Sequence, residues 1–93
     1  MSIVVEGLPL RKPEVWLRRA GEENAVYHQE TATVHLLNDT ALAIWYLCDG
    51  ETTLEEMVGA VCEVSGLHAD VVTEDVHRIL GEFDQAGLLI WRE

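Results

Sequence analysis

The residues with the greatest chemical potential in this 93-residue chain are two cysteines, four histidines and a large set of carboxylates. Cys48 and Cys62 could serve as a redox pair, a thiolate nucleophile or soft metal ligands, but such work needs close spacing such as Cys-x-x-Cys. They lie far apart, each inside an apolar helical pattern, which is the setting of a buried free thiol. His28, His35, His68 and His77 share no metal-ligand spacing. No serine or cysteine sits in a nucleophile elbow, and no carboxylate pair stands out. The sequence therefore predicts a protein that is not an enzyme, with no catalytic residue, no cofactor and no metal.

Charge narrows the partners. Seventeen acidic against six basic residues give a formal net charge of −11, so a phosphate backbone would be repelled over most of the surface and no nucleic-acid partner is expected. Arg11, Lys12, Arg18 and Arg19 form the local positive cluster, while acidic residues crowd the chain from Asp49 onward. No apolar run is long enough to span a bilayer, and Ser2 to Leu10 is interrupted by Glu6 and Pro9. The expectation is a soluble, cytoplasmic protein with no signal peptide and no membrane partner. Its length suits one domain. We expect residues 1–13, with two prolines, to form an N-terminal arm that is partly ordered, and residues 14–93 to form the domain.

Residues able to recognise something must be positioned by regular elements, and the hydrophobic period reports these. Glu14 to Arg19 alternates as a first strand, Ala20 to Asn24 reads as a hairpin loop, and Ala25 to Gln29 as a second strand. Thr33 to Leu37 is β-branched and aliphatic, with too little room before Asn38 for a helix, so it is a third strand. The period then becomes helical. Asn38 is an N-cap ahead of Ala41, Ile44, Trp45 and Cys48, with Leu42 and Leu47 making that helix apolar nearly all round until Asp49-Gly50. Thr53 and Glu56 form a capping box before the stripe Leu54, Met57, Val58, Val61, Cys62, which Gly66 stops. Asp70 is expected to cap a third helix with the core face Val72, Val76, Ile79, Leu80 and Phe83, reaching about Gln85. After Gly87, Leu88 to Trp91 is a short apolar tail that covers the core or adds an extended segment. Strands followed by helices predict an α+β domain: a three-stranded antiparallel β-meander and then three α-helices.

The stretch Leu37-Asn38-Asp39-Thr40-Ala41, then Ile44-Trp45, Leu47, Asp49-Gly50 and Thr53 with Glu56, resembles the motif of PqqD-like proteins. Asp75-Val76, Leu80 and Gly87-Leu88-Leu89 continue the match, which runs in consistent order over roughly residues 14 to 90. Many matched residues are also caps, helix stops or core aromatics, so the motif encodes a fold rather than a catalytic site. The resemblance implies a winged-helix-like domain that serves as a recognition element for the leader of a ribosomally made precursor peptide. The partners it implies are that leader and a maturation enzyme such as a radical-SAM protein, a leader peptidase of the lasso-peptide type or a cyclase. In such proteins the leader adds as an extra strand beside the third strand and packs on the third helix. One departure stands in the turn before that strand, where Glu30-Thr31-Ala32 carries no glycine.

An edge strand leaves backbone groups free to accept an extended peptide. The predicted peptide site is therefore Thr33, Val34, His35, Leu36 and Leu37 on the strand, facing Val71, Val72, Asp75, Arg78 and Ile79 on the helix. Arg78 could clamp an acidic leader residue, or pair along the helix with Glu74 or Glu82. His35 could tune binding with pH, or make an ordinary cross-strand contact. Alternation does not decide whether Trp16 and Tyr27 face the core or a partner. The competing reading is a winged-helix DNA-binding or protein–protein adaptor domain. Against DNA stands the third helix, with Arg78 alone among Asp70, Glu74, Asp75, Glu82 and Asp84.

Overall fold

A computed structural model describes residues 7–92. The order is β1 (Leu8–Arg11), β2 (Val15–Ala20), β3 (Glu23–His28), β4 (Thr33–Leu37), α1 (Asp39–Leu47), α2 (Leu54–Ser65), α3 (Ala69–Gln85) and β5 (Leu89–Arg92). This is the expected α+β arrangement: β2, β3 and β4 form an antiparallel meander in that order, with the helices behind. The predicted first, second and third strands are β2, β3 and β4.

The meander starts as a tighter hairpin than the sequence suggests. Ala20 pairs directly with Glu23 and Arg19 with Asn24, so the turn is Gly21 and Glu22 alone. Gly21 takes φ 65, a value that a residue without Cβ adopts freely. At the other turn Ala32 takes φ 55 just before β4. The missing glycine is thus a real departure, since a left-handed conformation costs a Cβ-bearing residue about 1–2 kcal/mol.

One face of the sheet carries Val15, Val26, His28 and Leu37 into the core, where they meet Ile44, Trp45, Cys48, Met57, Val76, Leu80 and Phe83. All five residues of the predicted α3 stripe are buried. Trp45 and Phe83 meet edge to face at 5.4 Å, the geometry that aromatic quadrupoles favour. His28 reaches the carbonyl of Gly87 through Nε2 at 3.1 Å and so ties β3 to the end of α3.

The caps follow the sequence at two helices and depart at the third. Asn38 Oδ1 accepts from the Ala41 N–H at 2.8 Å, and Thr53 with Glu56 completes the capping box. At α3 the N-cap is His68, with no side-chain cap bond, and Asp70 lies inside the first turn. Asp70 therefore does not cap; it places a negative charge near the positive end of the helix dipole. Between α1 and α2 the Asp49 carboxylate accepts the N–H groups of Glu51 and Thr52, each at 2.9 Å. These bonds, the one from Glu51 foremost, hold its pKa below the usual carboxylate value.

The predicted arm is described from Gly7 on, and its earlier residues lie outside the described ones. β1 pairs antiparallel with β5, Leu10 opposite Ile90, so the apolar tail is an extended segment. The Arg11 N–H bonds the Cys48 carbonyl, and its guanidinium donates to the carbonyls of Trp45 at 2.8 Å and Tyr46 at 3.0 Å. The end of α1 has no basic residue of its own, so Arg11 supplies the positive charge that its dipole favours.

Candidate functional site

β4 pairs with β3 along one side, His35 opposite Val26 and Val34 opposite Tyr27. Among the described residues nothing pairs with its other side, and the described part of the N-terminal segment is engaged with β5 and α1 instead. Within the described residues the strand therefore presents a row of backbone N–H and C=O groups without a ladder partner.

Against this edge lies a groove of about 430 Å³ between β4 and α3. Val34, His35, Leu36 and Leu37 all line it. Successive residues of a strand point to opposite faces, so four consecutive residues on one wall mean that the strand meets the groove with its edge. The floor is apolar and built from the core itself: Leu37, Ala41, Ile79, Phe83 and Leu88 are all buried. The exposed rim adds Asn38, Arg78 and Glu82. A trough with an apolar floor and a polar rim, beside an open backbone edge, suits an extended peptide that carries aliphatic anchors.

Of the ten residues expected from sequence, Val34, His35, Leu36, Leu37, Arg78 and Ile79 line this groove. Thr33 is exposed at the start of β4, with its hydroxyl 2.7 Å from that of Thr31. Val71 is exposed near the start of α3, and Val72 is packed in the core at 1% exposure. Asp75 engages Arg78. The helical wall thus sits nearer the C-terminal end of α3 than expected, and Glu82, Phe83, Ala86 and Leu88 complete it. Glu82 and Phe83 stand one turn beyond Arg78 and Ile79, which makes them candidates by helical spacing without marking which turn faces β4.

Arg78 is held along its own helix, to Glu82 at 3.3 Å and to Asp75 at 3.4 Å. Of the two helical partners expected, Glu82 is engaged, and Asp75 takes the place of Glu74. Both pairs are exposed, where such contacts contribute about 0–1 kcal/mol, so the guanidinium can exchange partners at small cost. Cys48 is buried and its thiol, pushed up to about 12 mainly by desolvation, is no nucleophile at neutral pH. Among the described residues no group of histidine, cysteine and carboxylate side chains could hold a metal ion. Nor is any described helix long and apolar enough to cross a membrane.

The family model described as coenzyme PQQ synthesis protein D (PqqD) matches residues 23–89. Among solved structures, the chain is similar to "TbiB1 in Complex with the TbiA(beta) Leader Peptide", at TM-score 0.76 and 24% identity over 86% of this chain and 93% of that one. It is also similar to "Lasso peptide synthetase B1 complexed with the leader peptide", at TM-score 0.75 and 16% identity over 88% of this chain and 96% of that one. A search of the curated proteins found no match.

Proposed function

Because the chain belongs to the PqqD family, we propose that it captures the leader of a ribosomally made precursor peptide and presents it to a separate maturation enzyme, itself performing no chemistry. The leader adds as a strand along the free edge of β4, and its groove-facing side chains enter the trough over Leu37, Ile79, Phe83 and Leu88. The observation that carries this reading is the edge-on groove, in which an unpartnered backbone row and an apolar floor lie side by side. The two similar structures, each a complex with a leader peptide, support it by analogy of fold.

The energetics suit a carrier. About five backbone hydrogen bonds at ~1 kcal/mol and about three apolar anchors at ~2 kcal/mol give ~11 kcal/mol gross. Association and ordering remove at least ~4 kcal/mol, so the dissociation constant is on the order of ten micromolar, weak enough for release.

The test uses 12-residue peptides enriched by display against the purified protein. Strand addition expects that N-methylating the backbone of an enriched peptide, one residue at a time, weakens binding with period two, because alternate N–H groups face β4. Loss without alternation, or amide NMR shifts away from residues 33–37 and 78–88, would overturn it.

A further inference from the structure

We propose that the captured peptide is read on both faces of the strand it adds: its outward side chains at i and i+2 contact Val34 and Leu36 while the intervening ones enter the groove. The ligand class is then a short segment apolar at consecutive positions, not the one-sided alternation that a groove alone selects. This rests on the peptide-capture reading above and asks more of it.

The argument starts from the register. Trp16, Tyr27 and Val34 stand directly opposite one another across β2, β3 and β4, and Arg18, Ala25 and Leu36 form the next row. Directly opposed residues share a face, and this is the face away from Val15, Val26 and Leu37. Arg18 apart, these rows are nevertheless apolar: Trp16, Val34 and Leu36 are 45%, 59% and 67% exposed. Single exposed apolar side chains are ordinary, but a contiguous set across three strands is not.

The row is finished at one end and open at the other. On β2 the Arg18 guanidinium lies 6.0 Å from the centre of the Trp16 ring, so a cation flanks that end while the ring stays partly exposed. Among the described residues no cation stands in the same relation to Val34 or Leu36 on β4. An edge strand is ordinarily guarded by charged residues or proline, and β4 reads Thr-Val-His-Leu-Leu with neither. Val34 and Leu36 border the groove at the strand edge, but their side chains stand on the face opposite the floor of Leu37, Ile79, Phe83 and Leu88, where the free protein's solubility would favour polar residues. A strand laid beside β4 places its own outward residues next to Val34 and Leu36, continuing both rows. The occupant that finishes this face is therefore the same peptide that fills the groove.

The experiment pans a random 12-residue display library against the wild-type protein and against Val34→Thr/Leu36→Thr, which keeps strand-compatible residues at both sites; thermal melting confirms its fold. Wild-type binders are expected to be apolar at consecutive positions through the strand. Binders to the variant should keep one alternation and lose the other, and wild-type binders should lose about fivefold in affinity for the variant, the yield of two ordinary cross-strand pairs. Wild-type binders that alternate apolar with polar, or an identical pattern from the variant, would overturn the proposal while leaving peptide capture intact. Self-association that the variant abolishes, with one-sided binders, would overturn it in favour of a second copy on this face. No enrichment from either protein would sink the capture reading itself.

Discussion

Ala86 offers the most direct way to occlude the groove without disturbing the core. It lines the trough just beyond the last turn of α3, is half-buried, and has φ −78 and ψ −2, which any residue adopts. Its own N–H stays bonded to the Glu82 carbonyl at 3.0 Å whatever the side chain. In Ala86→Phe the ring occupies space that a peptide anchor would take, alongside Phe83 and Leu88. Losing one anchor of ~2 kcal/mol weakens binding about thirtyfold, from around ten to around three hundred micromolar. Stability should change by less than about 0.5 kcal/mol, a shift in Tm of at most about 4 °C, because no buried side chain is removed. Fluorescence polarisation with a labelled display-selected peptide measures the first quantity and thermal melting the second. A dissociation constant within twofold of wild type, with an unaltered melt, would refute the idea that peptide anchors enter this trough.

Three further outcomes test how the scaffold is held. Arg11→Met removes both guanidinium bonds from the end of α1 and should cost about 2 kcal/mol, lowering Tm by roughly 10 °C, with Arg11→Lys recovering part of it; an unchanged melt would show that β1 does not clamp that helix. Ala32→Gly relieves the left-handed strain at φ 55 but frees the unfolded chain, so a net gain of about 0.5 kcal/mol and a small rise in Tm are expected; a fall would mean the turn is not strained. Iodoacetamide at pH 8 should alkylate the half-buried Cys62 while Cys48, buried and with its thiol pushed up to about 12, reacts only on unfolding, and mass spectrometry reads the order; early labelling of Cys48 would contradict the packing around Ile44.

Where one hydrophobic period dominated, the sequence was legible. The stripe from Val72 to Phe83 and the capping box at Thr53 are local signals, and both stand in the structure as read. What local signals could not reach was pairing at long range. Nothing in Leu8–Arg11 announces that it lies against Leu89–Arg92, because that contact joins the two ends of the chain. The same limit applies to the groove. β4 was read residue for residue, but which turn of α3 faces it depends on how the helix crosses the sheet, and a stripe that is apolar along its whole length does not encode that. Val72, expected in the groove wall, packs in the core instead, and Phe83, Ala86 and Leu88 line the groove.

An open, uncharged strand edge beside an apolar groove ought to invite self-pairing, and the charge distribution supplies the opposing force. On the helical side of the groove a single Arg78 is already paired with Glu82 beside it and with Asp75 one turn back along α3, and the chain as a whole stands at −11. Two copies approaching edge to edge must bring like charges together, and at an ionic strength of 0.15 M that repulsion acts over a Debye length of about 8 Å. The same surface makes α3 a poor recognition helix for DNA, since its one cation is engaged by neighbouring carboxylates and phosphates would meet the remainder. One electrostatic feature thus disfavours both the aggregate and the nucleic-acid ligand. A short extended peptide, the proposed occupant of the edge, is under no such constraint unless it is itself strongly acidic.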